Sequence, residues 1–204
     1  MKPSPNNVTA MGNAGAPAGQ VKVRSGLLSL LKLLEMRGLL EVGVEGVGGP
    51  VGLRLQKYVY FARFFDYDLG YKYNLYIHGP YSRELVEDYR AIDHDDLKRA
   101  EPANIRNEER YISLLSGRDD TWLEIASTVM MIAERYPGIS EDELVDLTLY
   151  AKPWAEEEYV RGAVGELRRH TLLPYYGRRA ARSRGRYKAR AHIPAWRRRR
   201  SASS

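Results

Sequence analysis

The sequence predicts a mainly α protein with a small β element, an α+β fold. The expected body is a helical bundle of winged-helix-like topology, between a disordered N-terminal segment and a basic C-terminal arm. Three observations carry this expectation. Apolar residues recur at helical spacing in successive windows of the middle of the chain, a single window alternates with period two, and both ends differ sharply in composition from what lies between them.

Residues 1–24 are a run of Pro, Asn, Gly, Ala and Ser with few large apolar side chains, too little to offset the entropy of ordering, and read as disordered. From Ser25, a candidate N-cap, Leu27, Leu28, Leu30, Leu31, Leu33 and Leu34 outline a first core helix that Gly38 stops. The Gly- and Val-rich stretch 39–50 suits a short strand or bend. Leu53, Leu55, Val59, Tyr60, Ala62 and Phe65 mark a second helix ending near Asp66. Residues 71–77 alternate, which places Tyr71, Tyr73, Leu75 and Ile77 on one face of a strand. His78-Gly79-Pro80-Tyr81 reads as a turn, and Ser82 as the cap of a helix to about Ala91 with Leu85, Val86 and Tyr89 inward.

The acidic stretch 93–104 reads as a surface connection, followed by a short helix near 106–115. Three helices are then expected at 121–136, 141–151 and 154–170. Asp120 caps the first, Ser140 with Glu143 forms a capping box on the second, and Pro153 opens the third, with Tyr159, Val160, Val164 and Leu167 inward. Their order resembles a winged helix-turn-helix. The third would be the reading helix, yet it opens with Glu156-Glu157-Glu158, where phosphate would sit, so ordinary groove reading is not expected. The fifteen tyrosines share elements with aliphatic core residues and read as packing, with their hydroxyls at the surface, rather than as a base-stacking platform.

Charge is segregated. Residues 174–204 hold ten arginines, one lysine and no acid, a formal +11. Residues 1–24 carry +3, and 25–173 balance 18 basic against 26 acidic residues, a net −8 within an overall +6. An acidic body with a basic arm points to different partners for the two parts. In the arm, Arg178, Arg179, Arg182, Arg184, Arg186, Lys188 and Arg190 are interleaved with Tyr175, Tyr176 and Tyr187, and Trp196 precedes Arg197, Arg198, Arg199 and Arg200. Guanidinium groups clamp phosphates and aromatic rings stack on exposed bases, so nucleic acid is the expected partner, RNA slightly preferred over DNA. A solubilising tail or an arm for an acidic protein is the plainer alternative.

The absence of cysteine removes disulfides, thiolate metal sites and cysteine nucleophiles. His78, His94, His170 and His192 are too far apart in sequence for a local metal pattern, and Asp93-His94-Asp95-Asp96 reads as a solvated acidic turn, so neither metal nor cofactor is expected. His78 could bind an anion or act as a general base, but a hydrogen-bonding niche in a shaped turn accounts for it. No apolar run is long enough for a membrane span and no secretory signal is evident, so the expectation is a cytoplasmic protein. Two glutamines and abundant charge resemble the composition of proteins from hot environments.

The run Leu55-Gln56-Lys57 to Tyr60-Phe61, followed by Tyr76-Ile77-His78-Gly79-Pro80-Tyr81-Ser82-Arg83-Glu84-Leu85, resembles the YwgA-like proteins and, more remotely, Panacea-type antitoxin domains. The similarity covers about residues 25–92. It implies a small helical domain with a minor β element, acting as a binding or regulatory module without catalytic residues, in which Gln56, Lys57, His78, Gly79, Pro80, Tyr81 and Ser82 form the family motif. The expected function is therefore that of a non-catalytic, nucleic-acid-associated regulatory or accessory protein whose body docks a protein partner. The alternative is a protein-interaction module of antitoxin or adaptor type.

Overall fold

The computed structural model describes residues 18–41 and 49–173. In chain order these form α1 (Ala18–Met36), α2 (Gly49–Ala62) with a 3-10 turn Arg63–Phe65, β1 (Asn74–Tyr76), β2 (Gly79–Tyr81), α3 (Arg83–Arg90), α4 (His94–Arg99), α5 (Glu108–Leu115), α6 (Asp120–Arg135), α7 (Glu141–Ala151) and α8 (Glu157–Arg169). The fold is mainly helical, with one small antiparallel hairpin, as expected from the sequence. No helix among the described residues is long and apolar enough to cross a membrane.

Helix α1 lays Leu27, Leu30, Leu31 and Leu34 into the core, the i, i+3, i+4, i+7 stripe of an amphipathic helix. It stops where Gly38 adopts φ +67°, with the Leu39 N–H donating to the Leu34 carbonyl at 2.9 Å. Its start corrects the expectation. The helix begins at Ala18, so Ser25 is not its N-cap and residues 18–24 are helical. Residues 1–17 and most of the expected bend, 42–48, lie outside the described residues.

Helix α2 is the hub. From Leu55 to Ala62 every residue is buried, because α2 packs against α5, α6 and β2. This part of the helix has no solvent face, so the polar residues within it must find partners in the interior. Helices α6, α7 and α8 pack against one another, and α1 packs against α3 and α4.

Several local expectations change on folding. The strand expected over 71–77 is limited to 74–76, because its partner ends where Ser82 leaves the ladder to cap α3. Leu75 and Ile77 are exposed, since β1 is the outer strand and β2 alone packs on α2 and α6. Of the expected turn 78–81, residues 79–81 form strand β2, and the turn is Ile77-His78. The acidic stretch forms α4, capped by Asp93, whose carboxylate accepts from the Asp95 N–H at 2.8 Å. Asp119 rather than Asp120 caps α6. Pro153 does not open α8. It occupies a turn closed by the Ala155 N–H on the Lys152 carbonyl at 3.0 Å, a position its fixed φ suits, and α8 starts at Glu157 with Tyr159 exposed. The Ser140–Glu143 capping box is present as read.

The tyrosine hydroxyls also differ from expectation, since many are internal. Tyr60 donates to Glu134 at 2.5 Å, Tyr111 to the Tyr58 carbonyl at 2.9 Å and Tyr71 to Asp88 at 2.9 Å, while the buried Tyr73 hydroxyl has no partner among the described residues. Burial pushes the ionisation of Tyr60, Tyr71, Tyr73 and Tyr111 well above the usual phenol range. These groups stay protonated when folded and lose protons near pH 10 when unfolded, so their stabilisation is present below about pH 10 and is lost as pH rises further. Urea midpoints are therefore expected to fall steeply above that pH. In the same assay Tyr73→Phe is expected to stabilise the protein by about 1 kcal/mol, because it removes an unsatisfied buried hydroxyl.

Candidate functional site

The polar residues of α2 define the site. Gln56 and Lys57 are adjacent, both fully enclosed, and bond β2 and the residue that follows it. The Gln56 amide donates to the Ser82 carbonyl at 2.9 Å and accepts from the Ser82 N–H at 2.8 Å, so one side chain satisfies both backbone groups as a neighbouring strand would. The Ser82 hydroxyl accepts from the Leu85 N–H at 3.3 Å and caps α3. Lys57, only 3% exposed, donates to the Pro80 carbonyl at 2.8 Å.

Helix α6 supplies the opposite wall. Gly79 sits at φ +84° against it, where an added Cβ would lie 3.1 Å from Thr128 Oγ1 and 3.2 Å from both the Glu124 carbonyl and Ser127 Oγ. Glycine is required there twice over, by its backbone angle and by the lack of room. Glu124 accepts from the Lys152 ammonium at 2.7 Å and faces His78 Nδ1 at 3.1 Å, and Lys152, 1% exposed, also donates to the Ile77 carbonyl. The turn and its exit are thus pinned at Ile77, Pro80 and Ser82 by side chains from α2 and from the end of α7.

Two ammonium groups and one carboxylate share this interior. Burial, reinforced by the neighbouring Lys152 and opposed by Glu124, lowers the Lys57 amine to about 8. Both lysines are enclosed and bonded to carbonyls, Glu124 is engaged by two partners, and the Ser127 and Thr128 hydroxyls donate to the Glu124 carbonyl. The arrangement holds a backbone shape. His78 projects into solvent from it with its ring tied to Glu124. No group of three His, Asp or Glu side chains suited to a metal ion occurs among the described residues.

What these contacts present is the hairpin. Leu75, Tyr76 and Ile77 are exposed, Ile77 by 80%. In the register Leu75 faces Pro80. Because proline has no N–H, that pair cannot be one of the hydrogen-bonded pairs, so the Leu75 N–H and carbonyl point off the outer edge of β1.

The structure brings together all the motif residues singled out in the sequence: Gln56, Lys57, His78, Gly79, Pro80, Tyr81 and Ser82. Tyr81 contributes ring contact, edge-on to Tyr76 at 5.2 Å. Sequence reasoning missed Glu124, Thr128 and Lys152, which belong to helices whose apolar stripes dominated the reading. The Lys152-Pro153 step was the one available signal, a cation at a helix end. The arm residues Arg178, Arg179, Arg182, Arg184, Arg186, Tyr187, Lys188, Arg190, Trp196 and Arg197 to Arg200 lie outside the described residues.

Gln56→Ala strands two buried backbone groups of Ser82 and is expected to cost about 2–4 kcal/mol in urea unfolding. Lys57 carries the opposite sign from the tyrosines: the unfolded chain keeps its proton up to about pH 10.5 while the folded protein releases it near 8, so stability rises between those values until the tyrosines ionise. That rise is expected to be absent in Lys57→Met. No family model, curated protein or solved structure matches this chain.

Proposed function

We propose that this is a non-catalytic, nucleic-acid-associated regulatory or accessory protein, in which residues 174–204 bind phosphate and the folded body docks a protein partner. The supporting observation is the segregation of charge, +11 in residues 174–204 against −8 in 25–173. Within the body the arginines are largely engaged by its own acids: Arg54 with Asp120, Arg63 with Glu134, Arg118 with Glu166, Arg161 with Glu157 and Asp142, and Arg168 with Glu141. A body of this kind repels polyanions, which leaves phosphate binding to the arm. The interleaved tyrosines and Trp196 favour RNA or single strands, through stacking.

The mutual packing of α6, α7 and α8 suits a winged-helix-like unit, but α8 opens on Glu156, Glu157 and Glu158, which complement the helix dipole and oppose phosphate. We assign this bundle to docking rather than groove reading. The resemblance to YwgA-like proteins supports the same reading, because its motif residues build a scaffold around a presented hairpin.

The second reading is a protein-interaction module of antitoxin or adaptor type, and a different observation favours it: the open edge of β1 with Leu75, Tyr76 and Ile77 exposed, a geometry that accepts an added strand. Removing residues 174–204 is expected to abolish binding of a labelled RNA without changing the thermal midpoint. With about five phosphates neutralised, full-length affinity is expected to fall several hundred-fold between roughly 50 and 200 mM salt. Affinity that survives truncation overturns the assignment to the arm, and loss of all RNA binding together with a salt-resistant protein complex moves the conclusion to the second reading.

A further inference from the structure

Exposed aromatic rings and carboxylates meet at the corner where α7 gives way to α8. Tyr150 and Trp154 are exposed, Trp154 by 54%, and Tyr159 shows its ring on the first turn of α8. Around them the charge is one-sided. Arg161 is shared among Glu141, Asp142 and Glu157, while Glu156 and Glu158 form no ion pair among the described residues and the carboxylate of Glu156, the N-cap residue, accepts no N–H of its helix. An aromatic surface rimmed by carboxylates fits a guanidinium-rich chain, because arginine pairs with carboxylate through its edge and stacks on a ring through its face. The molecule already uses that mode internally, with Arg118 lying 4.3 Å over the Trp122 ring.

The chain carries such a segment, and it is within reach. Residues 174–204 follow directly on the buried Leu173 at the far end of α8, whose 13 residues separate that end from the corner by about 20 Å. Extended chain covers that distance in about six or seven residues, so a return from residue 174 brings the first arginines, Arg178 to Arg186, to the corner. We propose that the α7–α8 corner is the resting site of the chain's own Arg-rich segment, residues 178–190, held by arginine pairs with Glu156 and Glu158 and by stacking on Trp154. The body then competes with the arm's external partner for the same guanidinium groups, and binding is restrained until a stronger polyanion displaces the corner. The inference rests on charge, reach and the exposed rings, and does not require that the external partner be nucleic acid.

The test compares amide and indole NMR spectra of the full-length protein with those of a full-length variant in which Arg178, Arg179, Arg182, Arg184 and Arg186 are changed to Gln. Differences are expected to concentrate at 150–159, including the Trp154 indole, to be independent of protein concentration, and to vanish in about 0.5 M salt, where charge pairs at the surface are screened. Spectra unchanged at 150–159, differences centred on the hairpin at 74–77, or differences that grow with protein concentration each overturn the proposal. A functional arm uses Glu156→Gln with Glu158→Gln in the full chain. Its affinity for a short labelled RNA at low salt is expected to rise about three- to tenfold, the factor set by a segment docked in most molecules. An unchanged affinity beside bound RNA argues against competition. If neither protein binds RNA, the nucleic-acid reading fails while the spectra still decide the resting site.

Discussion

A helical segment buried on every side that nevertheless carries an amide and an ammonium is the constraint on which the rest of this structure depends. Between Leu55 and Ala62, α2 has no path to water, so Gln56 and Lys57 must be satisfied by protein. The partners are the Pro80 carbonyl, which points away from β1 within the ladder, and the N–H and carbonyl of Ser82, which has left it; all three are themselves in need of partners. Each side resolves the other's deficit, and the exchange fixes where the hairpin sits and where α3 begins.

The same logic extends outward. Lys152 stands almost fully enclosed at the end of α7 and is compensated by Glu124 of α6 and the Ile77 carbonyl, which ties α6 and α7 to the turn. Removing either partner would leave an uncompensated buried charge, a larger penalty than the pair's net worth. Rigidity of the hairpin therefore comes from ionic and amide contacts beneath it, and its own two short strands contribute little. The result is a rigid presentation of Leu75, Tyr76 and Ile77, with the backbone of Leu75 directed outward.

Charge organises the molecule at a second scale. Acids and arginines of the body pair mostly with each other across helices, whereas the C-terminal segment has no acid of its own to pair with. Its arginines must be compensated by solvent ions, by a polyanion, or by whatever carboxylates the body leaves available, and the corner at Glu156 and Glu158 is where such carboxylates stand beside exposed rings.

Much of this was legible in the sequence. Helical periodicity located the helices from α1 through α8 apart from α4, Gly38 and the Ser140–Glu143 box marked ends that depend on contacts a few residues away, and Gln56, Lys57 and the His78–Ser82 run could be singled out as one block. Such features are local: caps, turns and apolar stripes are decided by neighbours along the chain. Tertiary structure alone decided the rest. The strand over 71–77 shortened because a ladder extends only as far as its partner, the tyrosine hydroxyls went inside because Glu134, Asp88 and the Tyr58 carbonyl were waiting there, and Glu124 and Lys152 joined the site from positions 28 residues apart. Alternation and composition show which residues can be buried. Which distant group meets a buried polar atom depends on how helices pack, and no spacing within one segment records that.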